Sequence, residues 1–338
     1  MRKIVFLTLT AVVCLAVPSC SINKLVMNKV SDVLAGSGGS GKSQKVSESA
    51  TNTVFMGDTD PQLVGEAIPF AIKLYETLLD KNPNHAGLIE TTGSLFVMYA
   101  NAFVQGPAEM LPLGQYEEKR IQLERAKKLY LRGVEILERG INNKFPGMLG
   151  IWGPFENPEF TQGLSKMKKE DIPLFYWYAA GNLSAYSLNA FDISLGLRVP
   201  QIIAMMERAY ELDSDYNSGT LDELFLIIYG ALPEGLGGDR EKALIHYQRA
   251  LEKTGGRSAG PYVSYAQSIA VGNQDYEGFK SNLEKALEID PEADRGNTLL
   301  NVITQRKARY LLERAPDFFA DLEAWDDYEY NDDYDYEY

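Results

Sequence analysis

The feature that most constrains this chain is the helical period of its apolar residues, sustained across 60–315 with turn signals between segments. Few stretches alternate apolar and polar residues as a half-buried strand would. The expected body is therefore all-α.

Within that period, residues recur in fixed steps. Phe279, Leu283, Ala286 and Pro291 in FKSNLEKALEIDP have the four-, three- and five-residue steps of the second helix of a tetratricopeptide repeat. Ala71, Tyr75, Leu78 and Pro83 repeat them, and Ile202, Met206 and Ala209 match again. Ala243, Tyr247 and Ala250 lie 36 residues ahead of Phe279, Leu283 and Ala286, against a usual period of about 34. Ala126, Tyr130 and Gly133 form a looser fifth match. Earlier helices carry a large-x3-Gly step, as in Ile89 with Gly93, Trp177 with Gly181 and Leu226 with Gly230. Small residues at such steps let two helices approach closely, while larger ones fill the groove to the next pair. The reading is a stack of irregular TPR-like hairpins in one superhelical body, interrupted by insertions at 106–114 and 145–171.

The N-terminus reads as an export signal over 1–19, with Arg2 and Lys3 ahead of an apolar run that is too short to span a bilayer comfortably. Val17-Pro18-Ser19 leads directly into Cys20, the layout of a bacterial lipoprotein signal, in which the cysteine is acylated. The only other cysteine, Cys14, lies in the segment to be removed, so the body has no disulfide or thiolate chemistry. Each buried methylene contributes about 0.8 kcal/mol, so two or three acyl chains on Cys20 hold a protein at a membrane without a transmembrane helix.

Residues 20–35 carry apolar side chains at helical spacing and read as a short amphipathic helix beside the anchor. The segment 36–59 is rich in Gly, Ser and Thr and reads as a flexible linker. Within it Gly36-Ser37-Gly38-Gly39-Ser40-Gly41-Lys42-Ser43 satisfies the pattern of a phosphate-binding loop. Such a loop must leave a buried strand and open a helix, and polar residues follow this one. It is read as linker. At the other end, 316–338 is acidic, rich in tyrosine and too poor in apolar residues to fold alone, so disorder is expected.

Several function classes are excluded by composition. A formal charge of −14, made more negative by loss of Arg2 and Lys3, disfavours nucleic acid and anionic lipid surfaces. Triads and histidine metal sites need convergent histidines, whereas this chain has only His85 and His246, both on stretches that read as polar and exposed. Carboxylate pairs such as Glu284 and Glu288 read as solvated helix faces. No cofactor, metal or catalytic group is expected, and the chain reads as a non-enzyme.

Aromatic side chains exceed what the repeat pattern uses. The segment Leu88 to Gln105 carries apolar residues on every side, together with the amides Asn101 and Gln105. It reads either as a central core helix or as one wall of a ligand cavity, with Phe96, Tyr99 and Phe103 beside the amides. Trp177, Asn182 and Tyr186 face the same space in the second reading, and Trp152 and Phe155 close it.

The motif GSLFVMYANAFVQGPAEMLP, joined to the lipoprotein signal, SINKLVMNKV and the degenerate hairpins, resembles the TatT family, the T component of TPR-protein-associated TRAP transporters of spirochaetes. The resemblance covers about 20–315. It implies a periplasmic lipoprotein with a TPR-like fold that forms trimers and binds the transporter's solute-binding subunit. It also implies a pore or cavity for hydrophobic ligands. The competing reading is an envelope scaffold for assembly or secretion, with the aromatics as core. For the anchor, Cys20→Ala is expected to abolish incorporation of labelled palmitate in cells; persistent labelling would remove the lipidation assignment.

Overall fold

In the computed structural model, residues 54–150 and 157–319 are described, and among them there are helices and turns but no strand. The signal, Cys20, 20–35, most of the linker, Trp152, Phe155 and most of the acidic tail lie outside the described residues. No described helix is long and apolar enough to cross a membrane.

The chain begins with α1 (Pro61–Lys81), which has proline at its start and Asp60 accepting hydrogen bonds from the Gln62 and Leu63 amides. The second helix, α2 (Ala86–Ala100), is capped by Nδ1 of His85, which accepts from the Leu88 amide. It runs through a π-turn, Asn101–Gln105, into α3 (Gly106–Glu109). The proposed insertion at 106–114 therefore starts as a continuation of this helix. Next come the long α4 (Tyr116–Lys144), α5 (Pro158–Lys166) inside the second insertion, and α6 (Ile172–Ser187). Short α7 (Ile193–Gly196) leads into α8 (Val199–Leu212). The C-terminal half holds α9 (Thr220–Ala231), α10 (Arg240–Thr254) and α11 (Gly260–Tyr265). A second π-turn, Ala266–Ala270, joins α11 to α12 (Val271–Asn273), and α13 (Tyr276–Glu288) and α14 (Thr298–Glu313) follow.

Glycines set how closely the first helices pack. A Cβ at Gly133 of α4 would stand 2.9 Å from the Gly93 carbonyl oxygen of α2 and 3.0 Å from Phe96 Cβ. At Gly181 of α6 it would meet Val134 at 2.8 Å and Val97 at 3.0 Å. The loosest of the five matches thus sits at the tightest crossing: Ala126, Tyr130 and Gly133 are all buried. In α1 the buried stripe is Val64, Ile68, Ile72 and Leu79, rotated from the expected Ala71, Tyr75 and Leu78, which are half-buried. The rotation turns α1 toward both α2 and the far end of the chain. There Leu299 of α14 joins Val64, Ile68, Ile72 and Phe96 in one cluster, and Lys307 pairs with Glu109 at 3.2 Å. The last helix closes the stack against the first.

Packing continues past both expected limits of the body. Phe55 and Met56 pack on the Val64 cluster, and Phe319 meets Phe279 at 5.0 Å.

His246 corrects the sequence reading, because it is buried rather than exposed. It lies one residue before Tyr247 on the inward face of α10 and stacks on Phe225 at 4.8 Å. Its Nδ1 donates to Asp222, fully buried in the first turn of α9, at 2.7 Å. Tyr210 donates to the same carboxylate at 3.0 Å and Lys253 at 2.7 Å. Glu284 and Glu288 are exposed, as a solvated face should be.

Burial alone would raise the Asp222 pKa, but hydrogen bonds from His246, Lys253 and Tyr210 outweigh it and hold the carboxyl below its ordinary value. A depressed folded value stabilises the protein above the unfolded carboxylate pKa of about 3.9 and ceases to do so as pH falls through the folded one. Asp222→Asn is expected to cost about 3 kcal/mol in denaturant unfolding near neutrality, because Lys253 loses its buried partner. The variant's stability should also decline less than the parent's on acidification below about pH 4.

Candidate functional site

Polar groups and aromatic rings gather at two stations. One lies at the π-turn after α2. Gln105 Oε1 accepts from the Tyr130 hydroxyl at 2.6 Å, and its Nε2 donates to Glu109 at 2.7 Å. Lys119 donates to the Glu109 carbonyl at 3.0 Å. Burial pushes the Tyr130 phenol well above its ordinary value, against lowering contacts from Asn101 and Ser184. Of the two amides singled out from the sequence, Gln105 meets this hydroxyl and Asn101 is exposed. The segment Leu88 to Gln105 is accordingly not covered on all sides.

The aromatics of α2 divide. Phe96 is buried, with the Arg132 guanidinium 4.9 Å over its ring. Tyr99 and Phe103 are half-buried and stack at 6.0 Å, with Arg125 donating to the Tyr99 hydroxyl at 3.4 Å. The Phe103 edge presses on Gly65 of α1, where a Cβ would stand 2.7 Å from the ring. These three rings join the contact between α1, α2 and α4. On α6, Asn182 is buried, donating to the Tyr178 carbonyl at 2.8 Å and accepting from Arg198 at 3.2 Å. Tyr186 is half-buried beside Gly196 of α7.

The second station is built on Tyr176, a residue the sequence reading did not choose. Its ring meets Trp177 edge-on at 5.2 Å and Tyr216 at 6.0 Å. Tyr216 sits at the start of a turn in which Asn217, Ser218 and Gly219 all have positive φ (45°, 53° and 96°), a costly backbone for the first two. Glu223 of α9 accepts from the Ser264 hydroxyl of α11 at 3.1 Å. Gly260 lets α11 approach, since a Cβ there would stand 2.4 Å from the Glu223 carboxylate. Tyr176 and Glu223 are both half-buried. Burial and the charge of Glu223 push the Tyr176 phenol up; burial and Glu90 push Tyr216 up to about 12. The Glu223 carboxyl is raised by burial, only partly offset by Ser264.

A separate cleft of about 410 Å³ lies between α10, α11 and α13, unforeseen in the sequence. Tyr247 donates to Asn282 at 2.5 Å and packs against Tyr265 at 4.7 Å, with Tyr262 and Lys285 at the rim. Tyr247 was read as groove filler; its spacing contained no sign of the two tyrosines opposite.

The Nδ1 of His246 is committed to Asp222. A family model described as "TRAP transporter T-component" matches residues 57–319. A protein of Treponema pallidum (strain Nichols), described as an uncharacterized protein, is 32% identical over 308 residues, covering 91% of this chain and 95% of its own. Such components are accessory to a transporter, not a known enzyme family. The chain belongs to the TRAP transporter T-component family and is an accessory component of TRAP transport.

Proposed function

We propose that this protein is a non-catalytic periplasmic lipoprotein, anchored through Cys20, that docks the solute-binding subunit of its transporter and holds a hydrophobic small ligand inside the helical body. The observation that carries the ligand half is the ring of Tyr176, Trp177 and Tyr216, partly accessible although deep in the fold. Pockets for small ligands are largely apolar and aromatic, with few polar groups to fix orientation. Ser264 and Glu223 supply those here, and Trp152 and Phe155 are the residues proposed to complete the wall. The docking half rests on family membership and on a stack of hairpins, an architecture that presents extended surfaces to partners. Assembly into a trimer is proposed from the same relationship.

Two measurements test the halves separately. The full chain is expected to retain the cognate TRAP solute-binding subunit in pull-down and to co-sediment with it; no association would remove the transport-partner reading. Native mass spectrometry of the purified protein should show a retained apolar ligand, whereas a persistently empty chain would favour a scaffold with a filled interior.

A further inference from the structure

The cleft between α10, α11 and α13 has a lining that selects what can sit in it. Tyr247 donates to Asn282 at 2.5 Å, with the Tyr265 ring at 4.7 Å and the Tyr262 ring edge-on at 6.4 Å. Leu244, 43% exposed, extends this apolar surface. Among the described residues lining the cleft, Lys285 is the one with a charge, and it makes no ion pair with any described residue. The Tyr262 and Tyr265 hydroxyls make no hydrogen bond with the described residues either. On a chain of formal charge −14, a wall of rings, open donors and one unpaired cation, with no carboxylate, is a local exception. Such a wall suits a ligand that alternates rings with acids, because rings pack on rings and carboxylates take charge-assisted hydrogen bonds.

The chain itself carries that pattern. From Glu323 on it has eight acidic residues and five tyrosines without a lysine or arginine, and Trp325-Asp326-Asp327-Tyr328-Glu329-Tyr330 sets three rings among three acids. Its point of departure is the helix that supplies Asn282 and Lys285 to the cleft. Phe319, the last described residue, meets Phe279 at 5.0 Å and Tyr276 at 5.5 Å, and the Phe318 carbonyl accepts from Gln274 at 3.0 Å. From Phe279 to Lys285 α13 advances about 9 Å. The chain from Phe319 to Trp325 reaches about 20 Å when extended, so it spans that distance with slack. A tether this short gives the attached segment an effective concentration of about a millimolar, an advantage no free acidic peptide has.

We propose that residues 325–330 dock in this cleft of their own chain, with the Trp325 and Tyr328 rings on Tyr262, Tyr265 and Leu244 and the carboxylates of Asp326 and Asp327 on Lys285. The acidic tail is then a built-in occupant of this face. Any other acidic, aromatic ligand must displace it.

Carbodiimide coupling of the full chain tests this, because the reagent joins a lysine to a carboxylate in contact with it and mass spectrometry of the digest identifies the pair. A product linking Lys285 to Asp326, Asp327 or Glu329 is expected, in a yield that dilution leaves unchanged. Lys280, exposed on the same helix, is the internal reference. Tail products in equal yield at Lys280 and Lys285 mean random collision and overturn the proposal, as does the absence of any product between Lys285 and the tail. A Lys285 product that fades on dilution assigns the cleft to the tail of a second copy and overturns docking within one chain. Leu244→Glu puts an acid in the cleft wall at an exposed position and should cut the Lys285 product about fivefold, the upper range for a pair of part-exposed charges. An undiminished product in the folded variant also overturns the proposal. Should that variant fail to fold, the comparison of Lys285 with Lys280 on the parent chain decides alone.

Discussion

The close contact of α2, α4 and α6 is the constraint on which the rest of the body depends. Gly93, Gly133 and Gly181 bring three backbones to distances that a methyl group would not allow. Core packing is dense and responds to single methylenes, so these positions fix the angle at which each following helix departs. Around them Tyr130, Leu137, Phe175 and Tyr178 bury their side chains. The hydrogen bond from Tyr130 to Gln105 then ties this crossing to the π-turn.

The all-helical fold and several hairpins were legible because burial writes its period into the sequence. Steps such as Trp177 with Gly181 mark residues that face another helix regardless of which one. The same logic should have placed His246, which shares a face with Ala243 and Ala250; its polar identity obscured the position, and its partner Asp222 lies 24 residues away. Glu223 and Asp222 are adjacent acids on one helix, and only the fold separates a paired carboxylate from an interior one. The π-turns were not legible either. Asn101–Gln105 and Ala266–Ala270 sit in stretches of ordinary helical composition. The second falls within the 36-residue interval between two matches, and the wider turn absorbs part of the excess over a regular repeat.

For the candidate site, the sequence indicated the abundance of aromatic groups but not their grouping. Phe96, Tyr99 and Phe103 fall at steps of three and four through α2 and its π-turn, as on one face of any apolar helix, and contact with α1 and α4 decides which space they fill. Tyr176 and Tyr216 come from distant segments and meet because an unusual left-handed turn holds the latter in place. Such convergence depends on tertiary structure and leaves no local trace.

The seal between α14 and α1 has a further implication for how the protein can evolve. An open solenoid can gain or lose repeats, because each unit touches only its neighbours and the ends are free. Here Leu299 lies among Val64, Ile68 and Ile72, and Lys307 reaches Glu109. Duplicating or deleting one hairpin would move these groups apart. The copy number is thereby locked, and lineages are left to diversify through insertions between helices and substitutions on the inner wall rather than by changing length.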